Sequence, residues 1–151
     1  MYEGILKAGE EFSIAPCGLA ARDLLRLEAA LPLYGQELSE EFLATEVGLE
    51  FTVKLDKQSF LAKKALLKNP PKYTRAGALV FGGIAREGDL VFCGEIMVGS
   101  VTSGTHSPTL KKPIAMLRIK KEYSDKNLTV VVRGRVLNLE ITGLQFYKKS
   151  Y

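Results

Sequence analysis

The stretches Ile96-Met97-Val98-Gly99-Ser100-Val101-Thr102 and Ile114-Ala115-Met116-Leu117-Arg118-Ile119 decide the fold class. Both are short, rich in β-branched and apolar residues, and bounded by Gly, Ser, Thr and Pro, the composition of a buried strand. Working outward, Ala76–Phe81, Leu90–Phe92, Leu128–Arg133 and Val136–Thr142 have the same texture. They are separated by Gly82-Gly83, Gly88-Asp89, Cys93-Gly94 and Arg133-Gly134-Arg135, residues that supply tight turns. Leu49–Leu55 alternates and reads as one more strand. The sum is a small antiparallel β-barrel of about six or seven strands. The fold class is therefore mainly β with a helical amino-terminal segment (α+β).

That segment precedes the strands. Tyr2–Ala8 spans little more than one helical turn, with Tyr2, Ile5 and Leu6 on one face. After the loop Pro16-Cys17-Gly18, Leu19–Ala30 is the best helix of the chain. Ala20, Leu24, Leu27 and Leu31 recur at helical spacing, and Arg22 and Arg26 share a side one turn apart. Pro32 is expected to end it by restricting the residue before it. Ser59–Lys68 reads as a short helix stopped by Asn69-Pro70-Pro71. The division is a helical piece over residues 1–45 and a β-rich unit over residues 46–151.

The 151 residues suffice for one domain and a sizeable core, and 46% apolar with 25% charged residues excludes a disordered or fibrous chain. No apolar run reaches a membrane span, and the amino end lacks the layout of a signal peptide, so cytoplasm is the expected location. Cys17, Cys93 and the single His106 can build neither a zinc site nor a disulfide framework. The net charge of +4 is uneven: acidic side chains dominate residues 1–50 and basic ones the remainder. A basic carboxyl-terminal part suits an acidic partner or simply a solvated lysine surface, and few aromatics interleave for nucleic acid.

Chemistry-bearing patterns are few. There is no P-loop, no G-x-G-x-x-G and no G-x-S-x-G. His106 lies among hydroxyls in Thr102–Thr109, with no carboxylate nearby, and the surrounding Gly, Ser and Pro place it on a loop. Arg22 projects from a rigid helix and could fork onto a carboxylate, or could pair with acids of its own helix, as Arg26 can with Asp23. Glu10-Glu11 and Glu40-Glu41 read as solvated surface.

The stretch from Pro16 to Leu38 (PCGLAARDLLRLEAALPLYGQEL) closely resembles the glycine cleavage T-protein family of tetrahydrofolate-dependent aminomethyltransferases. Later segments agree in order: Glu46-Val47-Gly48-Leu49, Val53–Lys57, Val98–Thr105, Ser107-Pro108-Thr109-Leu110 and Lys112–Ala115. The resemblance covers nearly the whole chain, but only the carboxyl-terminal part of the family. It implies that residues 1–45 are the helical exit of a folate-binding domain and that the rest forms the family's carboxyl-terminal barrel.

It also implies an activity: transfer of an aminomethyl group from a lipoylated H-protein to tetrahydrofolate, with release of ammonia. The family's reaction-centre aspartate belongs to an amino-terminal region that these residues do not match. The expectation is thus a fragment, inactive alone, that further domains or a second chain would complete. Two positions carry over as candidate substrate- or folate-binding residues. Arg22 stands at the arginine of the family's Ala-Ala-Arg-Asp, and Tyr151 corresponds, by its distance from Phe146, to a tyrosine near the family's carboxyl terminus. No residue is assigned a catalytic role, and no metal is expected. Arg26 and Glu28 are expected to brace the helix, and Arg75 to serve the barrel's first strand.

The same scaffold hosts a folate-dependent demethylase and the folate domains of dimethylglycine and sarcosine dehydrogenases, which the motifs disfavour without excluding. The Lys-Gly-Cys-Tyr-x-Gly-Gln motif of the iron–sulfur-assembly relatives is absent. A non-catalytic basic β-barrel that binds a partner is the reading from a different class.

Overall fold

A computed structural model describes residues 1–147. Six strands close into a barrel: β1 (Tyr73–Phe81), β2 (Leu90–Cys93), β3 (Ile96–Ser107), β4 (Lys112–Lys120), β5 (Leu128–Val132) and β6 (Arg135–Thr142). Their order around the barrel is β1-β4-β3-β2-β5-β6, and every neighbouring pair is antiparallel. Closure by β1 against β6 leaves no free sheet edge. Gly94 at positive φ turns β2 into β3, and Arg133 and Gly134, both at positive φ, form the two-residue turn between β5 and β6.

The interior is filled by small and β-branched side chains, among them Ala76, Ala78, Ala115, Val91, Val98 and Val130. A six-strand barrel has a narrow lumen, so bulk there would clash. On β4 the odd residues Ala115, Leu117 and Ile119 face inward, while Ile114 and Met116 face outward. The outward pair is nevertheless buried, because Leu27 and Ala30 pack on it with Leu79, Leu144 and Phe146. Burial on both faces explains why Ile114–Ile119 is a nearly unbroken apolar run. In β6, where exposed Val136, Asn138 and Glu140 alternate with inward-facing residues, the outer face meets water.

Among the described residues, three α-helices accompany the barrel: α1 (Tyr2–Ala8), α2 (Leu19–Glu28) and α3 (Lys63–Lys68). The expected course differs in several places. Helix α2 stops before Pro32 does anything, because Ala30 adopts a left-handed φ of 57°. The amides of Ala30 and Leu31 then donate to the carbonyls of Leu27 and Arg26, over 3.0 and 2.8 Å, a closed helix end. Only this end of α2 meets the barrel; Leu27 and Glu28 are buried, whereas Leu19 and Leu25 are exposed.

Leu49–Leu55 is not a strand but contains a single 3-10 turn, Glu50–Thr52. Among the described residues it has no pairing partner, since the barrel is already closed without it. The predicted helix over Ser59–Lys68 shrinks to α3, and the strands begin at Tyr73 rather than near residue 50. Conversely, β3 runs on through Ser107, past the expected loop. A bulge at Thr102 re-registers it, with Val101 opposite Leu117 and Ser103 opposite Met116, and the Thr102 hydroxyl donates to the Met116 carbonyl at 3.1 Å.

Candidate binding site

Three buried glutamates tie the helical segment to the barrel. Glu28 accepts from the Ser107 hydroxyl and, over 2.8 Å, from the Thr109 hydroxyl. Its backbone carbonyl accepts the amides of Phe146 and Tyr147 at 3.0 and 2.9 Å, which pins the carboxyl-terminal tail to the last turn of α2. Glu46 accepts the amides of Lys72 and Tyr73 at 2.7 and 3.2 Å, and so sets the start of β1. Beside it, Arg118 lies over the Phe42 ring with its guanidinium carbon 3.6 Å from the centroid.

Glu37 is the centre of the third contact. Its carboxylate accepts from Arg26 Nη1 at 2.8 Å, from the Leu33 amide at 2.9 Å and from the Ser103 hydroxyl at 2.6 Å. Arg26 spends its other donors on Asp23, Gln36 and Ser103, all within 2.8 Å. Every polar atom of the guanidinium is thereby engaged. The pairing of Arg26 with Asp23 that the spacing suggests is present, but it is the smallest part of what this arginine does.

Arg22, one turn earlier, is different. Its side chain is exposed and makes no side-chain hydrogen bond among the described residues. It lines a cleft of about 570 Å³ together with Cys17, Gly18, Ala21, Leu25 and the Leu31–Leu33 turn. A cleft of this size with apolar walls and a cation that has no side-chain partner among the described residues can hold part of a ligand carrying a carboxylate. Arg26 closes the inner wall, so the network that anchors α2 also holds the helix face on which Arg22 stands.

His106 lies on β3, opposite Pro113, and not on the expected loop, and its side chain is exposed. Two of the hydroxyls around it are engaged structurally, Ser103 with Glu37 and Ser107 with Glu28. Among the described residues no group of three metal-ligating side chains comes together. Tyr151, the second candidate position, lies outside the described residues.

Sequence reasoning missed the three buried glutamates as a set. Glu28, Glu37 and Glu46 all lie in the motif stretches quoted above, whereas Glu10, Glu11, Glu40 and Glu41 are exposed as expected. The available local signal was weak: Glu37 and Glu46 are each followed directly by an apolar residue, at Glu37-Leu38 and Glu46-Val47.

A helix end clamped onto a closed six-strand antiparallel barrel by buried acids defines the class of an α+β protein with a barrel module. Comparison with known proteins narrows this. Residues 1–57 match the family described as "GCVT N-terminal domain", and residues 76–148 match "Glycine cleavage T-protein C-terminal barrel domain". An aminomethyltransferase of Geobacillus is 43% identical over 99% of this chain and 43% of its own length. One from Thermoanaerobacter pseudethanolicus is 42% identical over 100% of this chain and 43% of its own.

Among solved structures, the glycine cleavage system aminomethyltransferase T from Bartonella henselae superposes with a TM-score of 0.80. It is 30% identical, and the match covers 89% of this chain and 40% of that one. The chain belongs to the glycine cleavage T-protein family and spans less than half the length of the curated relatives it matches.

Proposed function

We propose that this chain is the carboxyl-terminal part of an aminomethyltransferase of the glycine cleavage system. The complete enzyme would move an aminomethyl group from a lipoylated H-protein to tetrahydrofolate and release ammonia. The observation that carries this reading is identity of about 42% with aminomethyltransferases along the entire chain. The same relatives favour aminomethyl transfer over the demethylase and dehydrogenase alternatives. Residues 1–45 are assigned to the exit of the folate-binding domain and residues 46–151 to the barrel domain.

In this reading Arg22 binds rather than reacts. Its guanidinium would hold a carboxylate of tetrahydrofolate or of the amino-acid-derived substrate, while Leu25, Leu31 and Pro32 shield that contact from water. A charged hydrogen bond gains strength in such partly dry surroundings. Arg26 and Glu37 are positioning residues that keep α2 in place. Tyr151 is proposed as a second binding residue. The reaction-centre carboxylate is assigned to the family's amino-terminal region, so the barrel's role is to support the pocket. No helix of the described residues is long and apolar enough to cross a membrane, which agrees with a cytoplasmic assignment.

Methylene-tetrahydrofolate formation from lipoylated, aminomethyl-loaded H-protein tests the reading. The 151-residue chain alone should show no turnover, because positioning of both reactants supplies much of the rate. Turnover should appear when the remaining region of a family relative is supplied. Activity of the chain alone within about tenfold of a full-length relative would place the reaction centre here instead.

A further inference from the structure

One mouth of the barrel is rimmed by arginines. The end of β1, the start of β2 and the β5–β6 turn meet there around a cleft of about 550 Å³. Its floor is apolar, with Ile84, Val132 and the buried Leu137 closing the lumen. Its rim carries Arg86, Arg133 and Arg135, all three exposed, so that a ligand in the cleft can reach their donors. Mouths of β-barrels are common seats for small molecules, and the volume is in the usual range.

The protein's own acids leave this rim positive. Among the described residues Arg133 and Arg135 make no ion pair and no side-chain hydrogen bond. Arg86 donates from Nη1 to the Gly104 carbonyl at 2.8 Å, which fixes its side chain and leaves Nε and Nη2 unspent. Asp89 also lines the cleft, but its Oδ2 accepts the Arg86 amide at 2.8 Å rather than pairing with a guanidinium. Glu87, close by in the chain, accepts from Gln36. Three lining arginines against one aspartate give the mouth a net charge of about +2.

The turn adds an independent sign. Arg133 has a φ of 49°, a left-handed conformation that Asn or Gly adopts at less cost in a two-residue hairpin turn. A long side chain kept on an unfavourable backbone points to a use for that side chain.

We infer that this mouth binds a small organic phosphate, a monoester whose dianion meets the guanidiniums of Arg86, Arg133 and Arg135 while its apolar body lies on Ile84, Val132 and Leu137. A dianion matches the net charge. Its three terminal oxygens can accept from guanidinium forks arriving from separate segments, which a single carboxylate cannot do. The site shares no lining residue with the Arg22 cleft and stands independently of the aminomethyl-transfer reading.

The test is calorimetric titration of the chain with phenyl phosphate at constant ionic strength, with the arginine Nε–H signals followed by NMR. Saturable one-to-one binding that shifts the signals of Arg86, Arg133 and Arg135 is expected. Inorganic phosphate, which lacks the apolar body, and benzoate, which lacks the second charge, should each bind about tenfold more weakly. Arg133→Asn removes a cation but suits the turn, so affinity should fall about tenfold while the melting temperature rises. Arg135→Gln should weaken binding to a similar extent. Lys126→Gln, just before β5 at the opposite mouth, removes the same charge and should leave affinity unchanged. Binding should also survive in Arg22→Lys, so that this site and the folate reading fail separately. No saturable binding, unchanged affinity in Arg133→Asn and Arg135→Gln, or an equal loss in Lys126→Gln overturns the proposal. Tighter binding of hexaglutamate than of phenyl phosphate also overturns it, since the rim would then serve an acidic protein.

Discussion

Arg26 and Glu37 form an ion pair sealed between α2 and the barrel, Nη1 to Oε2 at 2.8 Å, with the two side chains only 10% and 1% exposed. A buried pair of this kind is worth little relative to an apolar replacement, but breaking it from one side is expensive. Here it does more than hold two residues together. Ser103 of β3 completes it, so the contact spans helix, following loop and barrel.

Glu37→Ala should therefore destabilise the chain by about 2–4 kcal/mol, because the Arg26 guanidinium loses its buried counter-charge and keeps only the half-exposed Asp23. Glu37→Gln keeps acceptors for Ser103 and Leu33 and should cost clearly less. The joint replacement Arg26→Met with Glu37→Leu should recover much of the loss. Urea unfolding of the four proteins decides it, and a Glu37→Ala effect below about 1 kcal/mol would show the pair to be screened.

The link between Glu28 and Ser107 is the second clamp. Ser107→Ala alone leaves one carboxylate oxygen with only the Thr109 amide at 3.4 Å, and Glu28→Gln removes the charge from the contact. A double-mutant cycle between them should give a coupling of about 1–3 kcal/mol, as for hydrogen bonds to charged groups. Additive effects would mean that Thr109 carries the contact by itself.

Two glycines should respond oppositely to alanine. At Gly99 an added Cβ would lie 2.1 Å from the Arg118 carbonyl oxygen and 2.8 Å from Ile119 Cα, so the β3–β4 pairing must shift. Gly99→Ala should cost at least about 1–3 kcal/mol, the usual penalty of overpacking. At Gly4, in α1, nothing lies within 4 Å, and alanine should stabilise the helix by up to about 1 kcal/mol. Thermal melts of the two variants against the parent test both signs.

Arg22→Lys should leave the melting temperature in the absence of ligand unchanged, since the side chain is exposed and makes no side-chain hydrogen bond among the described residues. In protein completed with the remaining region of a family relative, tetrahydrofolate affinity should fall about ten- to a hundredfold, because an ammonium cannot reproduce a two-pronged guanidinium contact. A lowered melting point with intact folate affinity would return Arg22 to a structural role.

Much of this molecule is legible along the chain. Runs such as Ile114–Ile119 and the turns at Gly94 and Arg133-Gly134 declare a small antiparallel barrel, because strand burial and turn backbone are decided by residues close in sequence. The family motifs, likewise, need no coordinates to be read. What the chain alone leaves open is which polar residue goes inside. Arg22 and Arg26 stand one turn apart on the same helix, and nothing local separates them. Only the docking of the last turn of α2 onto β3 brings Glu37 and Ser103 to Arg26 and leaves Arg22 at the cleft. Ser103 and Ser107 read locally as turn residues, yet they continue a strand because acids from residues 28 and 37 reach across to them. Leu49–Leu55 shows the converse, for its alternation finds no partner once β1 has paired with β4 and β6. Hydrophobic period and turn chemistry are local properties, whereas the burial of a charge depends on counter-charges that only the tertiary fold assembles.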